Sequence, residues 1–417
     1  MMKKWIGILL FLTVVFSVEG SLAFDFNVST GFNYDGWDDT KDNKARQSYI
    51  PLWMEARYKD FSLSFLTGYV HTHFHPAVGS NRSFGHALDS KLNLSYEMIG
   101  KLPVDALIGL DFNLPTGKTD LRAKDQILLM DPDLISITQF GEGFNVNPTL
   151  SLAKEWGGWV FGIGAGYLWR GRYDYGNLRE TSTSIIKIED YDPGNIFILN
   201  SEIRYDFSSH WYGRVFGQYA WYEESEWKES VRSPYYNVNR NHSFQEGEFW
   251  LLGMGFHYNS KKWDADLTLR GLFREKNKRD YQERWYHFDS SWGALLKVYS
   301  PLTQELKNSH GDEWIADFTV KYFWDHKTSI KSFLQALFFS KNEYPSFSPH
   351  YLGRREKYTL GFRATRSFPP FLEGEVYVKG FVMHDGERKY PYLFGGQTIS
   401  ERHYKGISTG LMLTGRF

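Results

Sequence analysis

The 417-residue chain contains no cysteine, which excludes disulfides, thiolate metal sites, cysteine nucleophiles and lipidation at cysteine. A covalently held c-type haem is excluded with them, because its attachment needs Cys-x-x-Cys-His. Beyond the N-terminus no stretch reaches 18 consecutive apolar residues, so the chain has no helical membrane span. Charge of one sign is also missing. The 48 Lys and Arg nearly cancel 49 Asp and Glu, so no general attraction to nucleic acid follows. No glycine-rich phosphate loop follows a strand and opens a helix, and no serine stands at a nucleophile elbow. A rim pair such as His86 with Asp89 could imitate a catalytic one, but the sequence predicts neither an enzyme nor a cofactor.

What the chain does have is aromatic residues, 18% of the total, and 38 glycines. Apolar runs are short all the same, an odd mixture for a protein with a large water-shielded core. The exception is the start, where Lys3 and Lys4 precede WIGILLFLTVVFSV and Ser21-Leu22-Ala23 follows. A basic head, an apolar run too short to span and small residues at a cleavage position predict a signal peptide over 1–23. The mature chain, 24–417, then begins at Phe24 and is exported.

Strict alternation runs through the mature sequence. In WDADLTLRGLF, Trp263, Ala265, Leu267, Leu269, Gly271 and Phe273 share one side against Asp264, Asp266, Thr268 and Arg270. In IFILNSEIRYDF, Phe197, Leu199, Ile203, Tyr205 and Phe207 oppose Asn200, Glu202, Arg204 and Asp206. About sixteen such segments of roughly 9–15 residues occur, the length of tilted membrane strands with rim extensions. Their connections fall into two kinds. Tight links at Lys59-Asp60, Gly100-Lys101-Leu102, Gly157-Gly158, Ser208-Ser209, Ser260-Lys261, Asp325-His326-Lys327 and Pro369-Pro370 alternate with long polar ones. The long links are 35–46, 75–86, 116–142, 175–194, 224–243, 276–310, 341–354 and 385–401. A soluble sandwich has no reason to keep that alternation, whereas an outer-membrane barrel has short turns on one side and long loops on the other. The expected fold is therefore all-β: a transmembrane antiparallel up-and-down β-barrel of about 16 strands. Its partners would be outer-membrane lipid and the barrel-assembly machinery.

Aromatics support two interfacial belts. Tyr58, Trp211, Trp263 and Phe371 flank the tight links, and Tyr69, Trp169, Tyr173, Trp221 and Tyr222 stand toward the long ones. The chain ends in GISTGLMLTGRF, which reads as a closing strand pairing with the first one around FDFNVSTGF. The terminal Phe417 resembles the C-terminal aromatic of bacterial outer-membrane proteins, and that resemblance implies an assembly signal.

The polar sides carry both signs of charge: Glu55, Arg57, Lys91, Asp105, Asp111, Glu202, Arg204, Asp206, Arg214, Asp264, Asp266, Arg270, Arg274, Asp317, Lys321, Arg363, Glu373, Glu375, Lys379 and Arg416. An Arg or Lys facing lipid near the midplane would cost roughly 2–4 kcal/mol, so these residues are expected to line the interior. In a barrel this wide they line water, or else form ion-pair networks that stiffen a plugged lumen. Two long links contain apolar patches, Ile127-Leu128-Leu129-Met130 and Trp292, Leu295, Leu296 and Val298. These fold inward as a constriction or cap the rim. His71, His73 and His75 share one side of a strand and are a weak metal candidate at the outer rim; no metal is expected elsewhere.

The stretch from Leu114-Pro115-Thr116-Gly117 through Gly141-Glu142-Gly143-Phe144 to Pro148, followed by WVFGIGAGYLWRGRYDY, resembles a broad group of porin-like outer-membrane proteins. The resemblance implies a transporter of aromatic-degradation pathways or a barrel that accompanies a multihaem cytochrome. Likeness to fatty-acid transporters is weaker. Those carry a hatch before the first strand, whereas alternation here begins almost at Phe24. Passive diffusion of small polar or charged solutes is the expectation. The alternatives are a sheath for a cytochrome that conducts electrons, and a transporter of aromatic or hydrophobic compounds.

Overall fold

A computed structural model describes residues 24–180, 184–235, 237–287, 293–368, 371–389 and 398–417, with backbone alone at 178–180, 281–287, 293–300 and 398. The signal segment 1–23, the Pro369-Pro370 link and the patch at Trp292, Leu295, Leu296 and Val298 therefore lie outside the described residues or side chains.

Sixteen antiparallel strands close into a barrel. In chain order they are Asp25–Asp39, Lys44–Tyr58, Phe61–His75, Ser90–Met98, Asp105–Leu114, Asn145–Trp156, Trp159–Arg170 and Ile196–Asp206. Then follow Trp211–Tyr222, Phe249–Asn259, Trp263–Arg274, Glu313–Phe323, Thr328–Phe339, Arg355–Phe368, Leu372–Asp385 and Arg402–Arg416. The fourth strand continues above a break as Arg82–Ala87, still paired with the third. Closure joins the first and last strands from Asn27 opposite Arg416 to Asp39 opposite Tyr404. Phe26 and Phe417 exchange backbone hydrogen bonds of 3.0 and 2.8 Å, so the terminal residue completes the seam. No edge is left in the ring, as hydrocarbon requires.

The alternation decides which side faces out. Ile407, Leu411 and Leu413 of the closing strand are exposed, as are Phe197, Leu199, Ile203 and Tyr205, while the intervening Ser408 is 2% exposed. An exposed apolar band around a closed barrel is the surface a bilayer covers. Trp156, Phe207, Trp211, Trp263, Trp324, Phe371 and Phe417 stand exposed at the tight-turn end, and Tyr69, Trp169 and Trp221 toward the other. This is an outer-membrane architecture, and the chain spans that membrane as a barrel.

Two expectations are corrected. Tyr173 and Tyr222 are not belt residues. Tyr173 packs edge-on to Tyr191 in the loops at 5.3 Å, and the Tyr222 ring lies under the Arg274 guanidinium at 5.1 Å. Nor are the long links all loops. Across 35–46 the strands run to Asp39 and resume at Lys44, leaving a turn of 40–43, and much of 75–86 is strand. Links 175–194, 224–243 and 276–310 form hairpins that pair side by side into a second, six-stranded sheet above the barrel. These extensions are wet on their outer faces, so they lack the greasy alternation that marks a strand within lipid.

Candidate functional site

The lumen is shaped by one loop. Segment 115–144 leaves the strand Asp105–Leu114, turns inward and reaches strands on the far side of the ring. Its roots are held by Asp89, at the break above the strand Ser90–Met98. One Asp89 carboxylate oxygen accepts the Gly117 N–H at 2.8 Å; the other accepts the Glu142 N–H at 2.6 Å and the Asn113 side-chain amide at 2.7 Å. The segments that carry the porin-like resemblance, 114–117 and 141–144, are therefore the two roots of this loop. Asp89 is committed to them, and His86 contacts the Ala87 carbonyl, so the two do not form a pair. Gly117 is required sterically, since a Cβ there would lie 1.9 Å from the Phe140 carbonyl oxygen.

The loop buries apolar residues against the inner wall. Leu121, Leu128, Leu134, Ile135 and Phe140 pack with Trp37, Ala45, Val70, Phe74, Phe381, Met383 and Tyr404. Of the apolar patch read in the sequence, Leu128 is fully buried, Leu129 and Met130 pack against this cluster, and Ile127 is exposed. The patch folds inward. Polar contacts add register: Gln47 donates to the Ile137 carbonyl at 2.8 Å and accepts the Ile137 N–H at 2.9 Å, while Asp35 accepts the Ser136 N–H at 2.9 Å.

At the tip, three carboxylates meet three cations. The Arg355 guanidinium, with 6% of its side chain exposed, binds both oxygens of Asp131 at 2.8 and 2.5 Å, bonds Asp133, and meets Asp385 twice at 3.2 Å. Arg388 reaches Asp385 at 2.8 Å and Asp131 at 3.5 Å; Lys357 lies 3.6 Å from Asp133. Burial by itself would raise the Asp131 carboxyl, but Arg355, followed by Arg388, holds it below its ordinary value. A charge cluster this buried tolerates no missing member.

The register puts all twenty sequence-derived charged candidates in the rows opposite the exposed apolar ones. Many pair along the wall. Arg214 lies 3.8 Å from Glu202 and 3.9 Å from Asp266, Arg270 lies 3.2 Å from Asp317, and Arg363 lies 3.4 Å from Glu375. Arg416 meets Glu373 at 2.8 Å, Arg57 meets Glu55 at 3.5 Å, Arg204 meets Asp206 at 3.1 Å, and Arg274 binds Glu246. Asp111 accepts from Asn93 and Asn147, Asp105 accepts the Gly100 N–H, and Asp264 lies 3.9 Å from His257. Lys321 rests over Phe323. Lys91 and Lys379 have no ion pair among the described residues.

Sequence reasoning passed over Lys331, Lys357 and the Arg355 cluster. Lys331 stands opposite Lys321 on one side and Arg363 on the other, giving three cations abreast on neighbouring strands. Lys331, Lys357, Arg363 and Lys379 line a cavity of about 370 Å³ whose roof is the loop tip, 132–136. Across the barrel the wall is different. Gly162, Gly164, Ser151, Asn200, Asp105 and Glu202 line a recess of about 640 Å³.

His71, His73 and His75 lie in the outward row. The His73 and His75 rings lie 4.2 Å apart, but His71, about 13 Å from His75 along the strand, does not converge with them into a three-residue group.

No family model and no curated protein matches the chain. Solved structures similar to it include the toluene transporter TodX of Pseudomonas putida, with TM-score 0.42, 8% identity and 97% of this chain covered against 91% of that one. OccK7 (OpdD) of Pseudomonas aeruginosa gives TM-score 0.42 and 10% identity over 94% and 99% of the two chains. A loop-deletion form of OmpT, an outer membrane protein of Vibrio cholerae, gives 0.40 and 9% over 94% and 100%.

Proposed function

We propose that the protein is a porin-like channel that passes small polar solutes by passive diffusion and favours anions where the inward loop meets the basic wall. One observation carries this reading: Lys321, Lys331 and Arg363 occupy directly opposed positions on three adjacent strands. Like charges in that arrangement repel and destabilise a sheet. Glu375 pairs with Arg363 and Asp264 stands opposite Lys321, but Lys331 and Lys379 have no ion-pair partner among the described residues, so mobile anions in the lumen supply their countercharge. Acidic groups on the recess side, Asp105 and Glu202, set a field across the passage, the usual device for tuning solute charge.

The same geometry weighs against the alternatives. A sheath around a cytochrome would need the volume that the loop fills and anchors by buried ion pairs. Charged rows on both walls suit polar solutes better than hydrocarbons. The test is conductance in a planar bilayer under a salt gradient. Open steps with a reversal potential favouring anions are expected, and Lys331→Glu combined with Arg363→Glu should move that potential toward cations. A silent barrel that copurifies with a redox protein, or a selectivity indifferent to those changes, would refute the reading.

A further inference from the structure

We propose that His384 and His403, supported by Glu401, form a transition-metal site on the outer rim of the barrel. The two histidines are directly opposed on the last two strands, Leu372–Asp385 and Arg402–Arg416. Their Nδ1 atoms are 3.4 Å apart and their ring centroids 4.6 Å. The Glu401 Oε1 lies 3.5 Å from Nε2 of His384. One donor atom from each of the three falls within 4.8 Å of the others, a convergence that no other three such residues reach among the described residues.

The separation is informative. A tetrahedral zinc ion with Zn–N bonds of about 2.0–2.1 Å holds two nitrogen ligands about 3.3–3.4 Å apart, which is the distance found. As a hydrogen bond the same contact is long. Glu401 stands 3.5 Å from the other nitrogen of His384, where its negative charge favours the tautomer protonated on Nε2 and leaves the Nδ1 lone pair toward the space between the rings. Such support behind a histidine is characteristic of metal ligands. Two neutral imidazoles suit Zn²⁺, Cu²⁺ or Ni²⁺ and not Mg²⁺ or Ca²⁺, which prefer oxygen. With Glu401 standing behind the His384 ring, water completes the set around the two nitrogens.

Position gives the site a role. Both histidines stand in the outward row, two residues above Val382 and four above Ile407, at the ends of strands that carry the segment 386–401. An ion there clips those ends together beside the Asp39–Arg402 pair.

The test is ZnCl₂ titration of the untagged, detergent-solubilised full chain after chelator treatment, with folding checked by heat-modifiable gel migration. Saturable binding of one Zn²⁺ is expected, at least tenfold weaker in His384→Ala and in His403→Ala. His403→Gln, which keeps more of the packing, should weaken it likewise. Glu401→Gln should lose roughly tenfold, whereas replacing His71, His73 and His75 together should change nothing. Absence of saturable binding, affinity unchanged in both single histidine variants, or loss that follows the other three histidines would each overturn the proposal.

Discussion

The two halves of the lumen are built on opposite plans. Along the first three and last two strands, Trp37, Tyr49, Phe74, Phe381, Met383 and Tyr404 point inward and are covered by the loop. Across from them the strand Trp159–Arg170 turns only Gly162, Gly164 and Gly166 into the middle of the lumen, and its neighbours add Ser151 and Asn200. One half is a packed protein interior; the other, lined by these small residues together with Glu202, Phe216 and Leu251, is left as an open recess. The difference shows where the barrel spends its bulk: large side chains anchor the constriction, and small ones keep a passage beside it.

The sharpest way to break the contrast is to release the loop. Arg355→Ala leaves the buried Asp385 and the half-buried Asp131 and Asp133 around an empty position, and losing one partner of such a cluster costs about 3–5 kcal/mol. Denaturant unfolding should register that loss, and single-channel steps should grow as the packed half opens. Unchanged steps would mean that the loop does not bound the passage.

A smaller effect comes from making the same change in both halves. Gly117→Ala puts a Cβ 1.9 Å from a carbonyl oxygen, and the displacement it forces should cost about 1–3 kcal/mol. Gly162→Ala meets only the Glu202 carbonyl oxygen at 3.9 Å, and its stability should stay within about 0.5 kcal/mol of the parent. Equal sensitivity of the two sites would remove the distinction between packed and open walls.

How legible this was in the sequence follows the same division. Rows that face lipid, such as Phe197, Leu199, Ile203 and Tyr205, announce themselves because hydrocarbon allows only apolar groups there. The interior imposes no such uniformity. Lys331 shares its row with Phe333, so the polar side of that strand is broken and a key cation escapes notice. The outer extensions at 35–46 read as polar links because their buried residues, Trp37 and Ala45, are covered by a segment some ninety positions away. Leu128 is visibly too apolar for a free loop, yet nothing local says that it packs inside the barrel. Asp89 reads as a rim acid until the loop roots are seen to converge on it.

Acid should test the latch more gently. Asp131 titrates below its ordinary 3.8 in the folded protein, so its contribution is complete above that value and is lost only as pH falls through the lower folded one. Conductance should therefore stay level from pH 7 down to about 4 and rise only below, as the loop lets go. A rise already at pH 5–6 would mean that some other group holds the loop.

The weakest expected effect concerns the sheet above the barrel, where the hairpins 225–245 and 278–304 meet through only two residue pairs, Phe244 with Arg279 and Gln245 with Lys278. His242 reinforces that seam: its Nδ1 lies 3.0 Å from Asp280 across it, and its Nε2 lies 3.5 Å from Glu229 within its own hairpin. The hydrogen bond to Asp280, then the neighbouring Glu229 carboxylate, raises the imidazole from 6.5 to about 9, so it is charged at neutral pH. A raised value contributes fully below 6.5 and loses its contribution as pH climbs through about 9. Protease cleavage of these hairpins should accelerate across that window in the parent. His242→Asn should be cleaved faster from the start, with little further dependence on pH. A parent protein whose cleavage ignores pH between 7 and 10 would show that the seam is held by its backbone pairs alone.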